Sequence, residues 1–68
     1  MIVSYDRLWK LMIDRQLKKT ELVRRAGISS NAMARMGRRQ PVTLECIAKI
    51  CRYLQCTVDD ILVFQWDE

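Results

Sequence analysis

The chain has no histidine, only two glycines and one proline, and few aromatic rings. Without histidine it lacks the commonest general base and the commonest metal ligand. So few glycines and prolines argue against an all-β meander, which needs turn residues every few positions. No apolar run approaches the ~18 residues of a membrane span, and no signal-peptide pattern opens the chain. A soluble, cytoplasmic protein is therefore expected. The scarcity of aromatics also leaves no platform on which unpaired RNA bases could stack.

Catalysis finds equally little support. There is no glycine-rich phosphate loop and no pair of carboxylates placed to share a pocket. The three cysteines, Cys46, Cys51 and Cys56, have no partnering base. They form no CxxC pair, so no metal site and no cofactor are expected. Their spacing of five puts successive side chains on different sides of a helix, which reads as small, buried or half-buried thiols. The chain is not expected to be an enzyme.

What is present is apolar substance and an uneven charge. Half of the 68 residues are hydrophobic, enough for one small core, so a single domain over 1–68 is expected. The formal net charge is +4. Between Lys18 and Arg39 stand seven bases (Lys18, Lys19, Arg24, Arg25, Arg35, Arg38, Arg39) against one acid, Glu21, a local balance of 7 − 1 = +6. The last ten residues carry Asp59, Asp60, Asp67 and Glu68 and no base. Such polarity points to a polyanion on one side of the molecule, the plain alternative being a merely solvated surface. Arg24, Arg25, Lys49 and Arg52 read as solvated surface.

The apolar spacing predicts five helices. The first covers 5–16, capped by Ser4, with Leu8, Leu11 and Met12 inward and Trp9 and Ile13 widening the stripe. The second runs through Ala26, capped by Thr20 or begun earlier at Lys18, with Leu22, Val23 and Ala26 inward. Gly27 ends it, as a residue free to take positive φ should. Ile28 is then the one apolar residue of the turn, a plug between two helices. The third helix, capped by Ser29 or Ser30, reaches Met36 or Gly37. Met33 and Met36 share its inner face; Ser30, Asn31, Ala34 and Arg35 share the outer. The fourth starts at Thr43 with Leu44, Ile47, Ala48, Cys51 and Leu54 inward. A fifth, capped by Thr57, turns Val58, Ile61 and Leu62 inward.

Two short helices joined across a glycine give a helix-turn-helix reading. In that motif the second helix enters the major groove while the first lies across the backbone. Asn31 and Arg35, four apart, present donors and acceptors that match adenine and guanine edges.

TELVRRAGIS at 20–29, followed by LECIAKICRYLQCTVDDIL at 44–62, resembles the Cro/cI-type helix-turn-helix regulators, the XRE family. The resemblance spans about 5–63. It implies an all-α, five-helix lambda-repressor-like domain that binds a double-stranded DNA operator, commonly as a homodimer. Its base-reading positions fall on Ser30, Asn31 and Arg35. Its phosphate-contacting positions fall on Lys18, Lys19, Ser29, Arg38 and Arg39. The family usually has glycine where Gln55 stands, which implies left-handed backbone there. A sequence-specific transcriptional regulator is expected, bacterial or phage-encoded, with a recognition helix over about 30–36. No membrane or small-molecule ligand is expected. Leu62, with Phe64 and Trp66 of the short apolar-acidic tail at 64–68, is expected near the two-fold axis of a dimer. The plain alternative is that one or both rings fold back over Trp9 or Tyr5. The rival expectation is a small protein-interaction module, such as an antitoxin or an antagonist of another regulator, for which the same tail would serve.

Overall fold

The structure, a computed structural model, describes residues 1–67. Four helices account for most of it: α1 (Asp6–Asp14), α2 (Lys19–Ala26), α3 (Ser30–Gly37) and α4 (Leu44–Leu54). A 3-10 turn, Val58–Asp60, follows α4. Two short strands, β1 (Ile2–Ser4) and β2 (Val63–Gln65), pair antiparallel with Val3 opposite Phe64. Among the described residues no helix is long and apolar enough to cross a membrane.

The expected fifth helix is therefore corrected to a single 3-10 turn. The Asp60 carboxylate accepts from both the N–H and the hydroxyl of Thr57, at 3.0 and 3.2 Å, and closes the turn over three residues. Ile61 then drops fully into the core, and the next residues are drawn into extended backbone by pairing with β1. The β-branched and aromatic residues at both ends, Ile2, Val3, Val63 and Phe64, suit a pleated surface better than a helix. The same pairing takes Ser4 into β1, although its hydroxyl still accepts from the Asp6 N–H at 3.4 Å. Helix α1 stops at Asp14, two residues before its expected end, and leaves Ile13 75% exposed.

Lys18, not Thr20, is the cap residue of α2. An ammonium has no lone pair to offer, so only half a capping box forms: the Glu21 carboxylate accepts from the Lys18 backbone N–H at 3.1 Å. Ser29 and Thr43 cap α3 and α4 in the ordinary way, accepting from Ala32 and Cys46 at 3.0 and 3.1 Å.

The core gathers one stripe from each helix around Leu8, Leu22, Met36, Ile50, Leu54 and Ile61, with Ile28 buried where a plug was expected. In α4 the stripe is rotated from its expected position. Cys46, Ile47, Ile50 and Leu54 face inward, whereas Ala48 is exposed and Leu44 is 78% exposed. Both readings have helical period; the packing of α4 against α2 selects one of them. Val58, also expected inward, is exposed at 44%. The loop after α3 is held from two sides. Tyr5, buried, donates its hydroxyl to the Gln40 carbonyl at 2.8 Å, and the Val3 N–H donates to the Arg39 carbonyl at 3.2 Å. Burial, with the nearby Cys46 thiol, raises the Tyr5 phenol above its ordinary pKa.

Gly27 sits at φ 76°, and Gln55 at φ 54° ends α4 in the same left-handed region, as the family resemblance implies. A Cβ at Gly27 would meet no atom within 4 Å, so any penalty there is purely one of backbone. Gly27→Ala should destabilise the fold by about 1 kcal/mol, and Gly27→Asn by less, because Asn tolerates this region. Gln55→Gly should stabilise by a few tenths to about 1 kcal/mol. Urea unfolding followed by circular dichroism checks all three. An unchanged midpoint for Gly27→Ala would mean that the turn has another low-energy conformation.

Candidate nucleic-acid interface

Helix α3 is anchored from beneath and bare above. Met33 and Met36 are buried in the core, while Ser30, Asn31, Ala34 and Arg35 are exposed on the opposite side. Small residues at Ser30 and Ala34 keep the helix slim, so that a groove wall can come close to the longer Asn31 and Arg35. At 1.5 Å per residue an eight-residue helix is about 12 Å long, a good match for a major groove of about 12 Å width.

Exposed bases follow this helix and open the helix before it. Arg38 and Arg39 follow it directly and are exposed. Arg39 lies at φ 60°, with its guanidinium 3.9 Å from the Asp6 carboxylate. Both partners of that pair are more than half exposed, so it is worth about 0–1 kcal/mol and does not withdraw Arg39 from solvent. Lys18 and Lys19 stand at the start of α2. The Lys19 ammonium rests 4.5 Å from the centre of the Trp9 ring, a cation–π contact that holds it against α1. Arg25, by contrast, is turned toward α4. It donates to the Tyr53 hydroxyl at 3.4 Å and pairs with Glu21 at 3.5 Å, and both contacts hold its proton more firmly than usual.

Lys49 is exposed, as the sequence reading has it, but its neighbours cannot be read along the chain. Its ammonium pairs with Glu45 at 3.4 Å and donates to the Gly27 carbonyl at 3.5 Å. It thereby lines the same groove as Ser29, Asn31, Arg35 and Thr43. Lys49 is 22 positions from Gly27, and only the packing of α4 across the turn brings it there. No local signal shows this, because which flank of α4 Lys49 occupies depends on the stripe that is buried.

The aromatic tail is a separate feature. Phe64 and Trp66 are 51% and 68% exposed and pack on one another, ring centres 5.9 Å apart. Tyr5 and Trp9 pair with each other instead, at 6.3 Å. Leu62 is half-buried and packs against the core. Because Val3 spends its N–H on Arg39, the Val3–Phe64 pair is of the non-hydrogen-bonded kind, and the N–H and C=O of Phe64 point to the outer edge of β2.

A capped α2, a left-handed glycine, a buried plug and a groove-sized α3 with a bare polar face define a helix-turn-helix domain. The profile of the Cro/C1-type HTH DNA-binding domain matches residues 7–67, and the chain belongs to that family. It is also similar to a crystal structure of transcriptional regulator VanUg, with 44% identity and a TM-score of 0.87 over 91% of this chain and 83% of that one. A comparison with curated proteins finds no match.

Ser29 caps α3 and lines the groove beside it, and two substitutions separate the cap from that position. Ser29→Ala leaves the Ala32 N–H without its acceptor and should cost about 1 kcal/mol of stability. Ser29→Asp caps equally well, so stability should be kept, but it sets a negative charge beside the groove and DNA binding should fall sharply. Unfolding curves and DNA titrations of the two variants check this. Unweakened binding by Ser29→Asp would move the interface away from the start of α3.

Proposed function

We propose that the chain is a sequence-specific, double-stranded DNA-binding transcriptional regulator that sets α3, over about 30–36, into the major groove. The observation that carries this is the exposed Ser30–Asn31–Ala34–Arg35 face of a helix whose other side is locked into the core by Met33 and Met36. Ser30, Asn31 and Arg35 read base edges. Lys18, Lys19, Ser29, Arg38 and Arg39 meet phosphates, and Lys49 joins them from α4 once its weak pair with Glu45 opens. The 68 residues act as one domain, in the cytoplasm, with the segment from 64 to 68 given to assembly.

Selection from random duplexes is the direct test. Arg35→Ala should cost about 1–3 kcal/mol at one base pair and relax the preference there, and Asn31→Ala should do so at a neighbouring position. The same recovered motif for wild type and both variants would sink the recognition-helix assignment.

One short helix touches too few base pairs to single out a genomic site, so two copies on half-sites about 10–10.5 bp apart are required. The basic face is turned to DNA in both copies. Leu62, Phe64 and Trp66 remain for a two-fold contact, and the outward N–H and C=O of Phe64 suit pairing of β2 with its own copy. Gel shifts with a Phe64→Ala/Trp66→Ala variant should show folded protein that has lost cooperativity. Cooperative binding that survives both changes would remove this interface. The rival reading, a protein-interaction module such as an antitoxin or antagonist, draws on the same exposed ring pair. It would be upheld by a selection that enriches no sequence at all.

A further inference from the structure

Cys46, Cys51 and Cys56 are equally spaced, yet the fold treats the two intervals differently. Cys46 and Cys51 both lie within α4, where five residues turn their side chains about 140° apart. Between Cys51 and Cys56 the helix ends. Gln55 takes the left-handed conformation, and the Cys56 N–H donates back to the Cys51 carbonyl at 3.0 Å. This is the long bond of a Schellman closure, in which the residue after the left-handed one folds its side chain onto the residue five before it. Here both of those residues are cysteines. The covalent bonds on either side of a 3.0 Å hydrogen bond keep their α-carbons within about 7 Å, close to the span a disulfide requires.

The two thiols lie at the same helix end, near enough to act on one another. Burial, and after it the neighbouring Cys51 thiol, push the Cys56 thiol up. Arg15 faces the same thiol and opposes the shift, while Asp60 adds to it. Both side chains are half-buried, not sealed, and both are free thiols. They are within reach of a small molecule.

We infer that Cys51 and Cys56 form a reversible dithiol site, which a low-molecular-weight disulfide converts to an intramolecular disulfide clamping the end of α4. The thiolate of one cysteine attacks a sulfur of the small disulfide, whose S–S bond breaks and releases one thiol. The second cysteine then attacks the protein sulfur of the mixed disulfide and displaces the other. The protein gives up two protons and two electrons, and the small disulfide leaves as two thiols. The closed form ties α4 to the segment that leads to Ile61 and β2, and it touches nothing on the face of α3. Cys46, buried on the inner side of α4, takes no part.

The native chain is incubated with oxidised glutathione at about pH 8.5, where thiolate is plentiful enough to react, and then digested with trypsin without reduction. Cleavage after Arg39, Lys49 and Arg52 puts the three cysteines on three different fragments, 40–49, 50–52 and 53–68. Free thiols should fall from three to one, and fragments 50–52 and 53–68 should stay joined until dithiothreitol is added. In urea, where the two loops are equal in length, 46–51 and 51–56 bridges should form in comparable amounts. A Cys46→Ala chain should close as readily as wild type, and a Cys56→Ser chain should stop at the mixed disulfide. The site is overturned by a native chain that keeps three thiols, that joins 40–49 to 50–52, or that accumulates mixed disulfide without closing.

Discussion

Every helix of this chain ends in the same way, and the rest of the fold hangs on those four endings. Gln16, Gly27, Arg39 and Gln55 are the left-handed residues, one after each helix. The residue that follows each of them donates its N–H five positions back: Leu17 to Met12, Ile28 to Val23, Gln40 to Arg35 and Cys56 to Cys51. Each closure satisfies carbonyls that a helix end leaves open, and it turns the chain so that the next residue folds toward the core. Leu17, Ile28 and Cys56 use that turn to bury apolar surface. Gln40 instead offers its carbonyl to the Tyr5 hydroxyl. A chain with one proline and two glycines thus makes its corners from hydrogen bonds rather than from turn residues. Only at Gly27 is the corner free of the strain, about 1 kcal/mol, that a side chain brings to this region. That is the corner on which the relative placement of α2 and α3 depends.

Much of this was legible before any coordinates. Gly27, Ile28, the Ser29 cap and the Met33–Met36 anchor are all local, and local signals fix them: a residue type free of Cβ, a short side chain with a lone pair, an apolar spacing of three. The face of α3 follows from them, because a helix with a known inner side has a known outer one. Gln55 became readable only through the family resemblance, since nothing in glutamine itself favours left-handed backbone.

What was not legible is non-local. The stripe of α4 could be read from Leu44 or from Cys46, both in period, and the decision lies with α2 rather than with α4. Lys49 is exposed, as expected, but its place beside the turn follows from the same undecided stripe. The strands pair residues from opposite ends of the chain, and each has three residues, too short for alternation to declare itself. Val58–Asp60 had a cap and an apolar step, and therefore read as a helix. What prevented the helix was the pairing of the residues just beyond it with β1.

The same contrast explains why a count of bases describes the basic segment only in sum. Its seven bases do gather on neighbouring elements, but their side chains are not equally free. Arg25 is drawn to Tyr53 and Glu21, Lys19 rests on Trp9, and Arg39 reaches toward Asp6. These contacts are weak and exposed, and each holds a long side chain near one place at little cost in stability. Neither contact takes Lys19 or Arg39 out of solvent, so both are parked rather than spent. Arg25, held from two sides and pointing to α4, is the one withdrawn from that surface. The electrostatic face is thus set less by how many bases the segment has than by which of them the core-facing helices have already claimed.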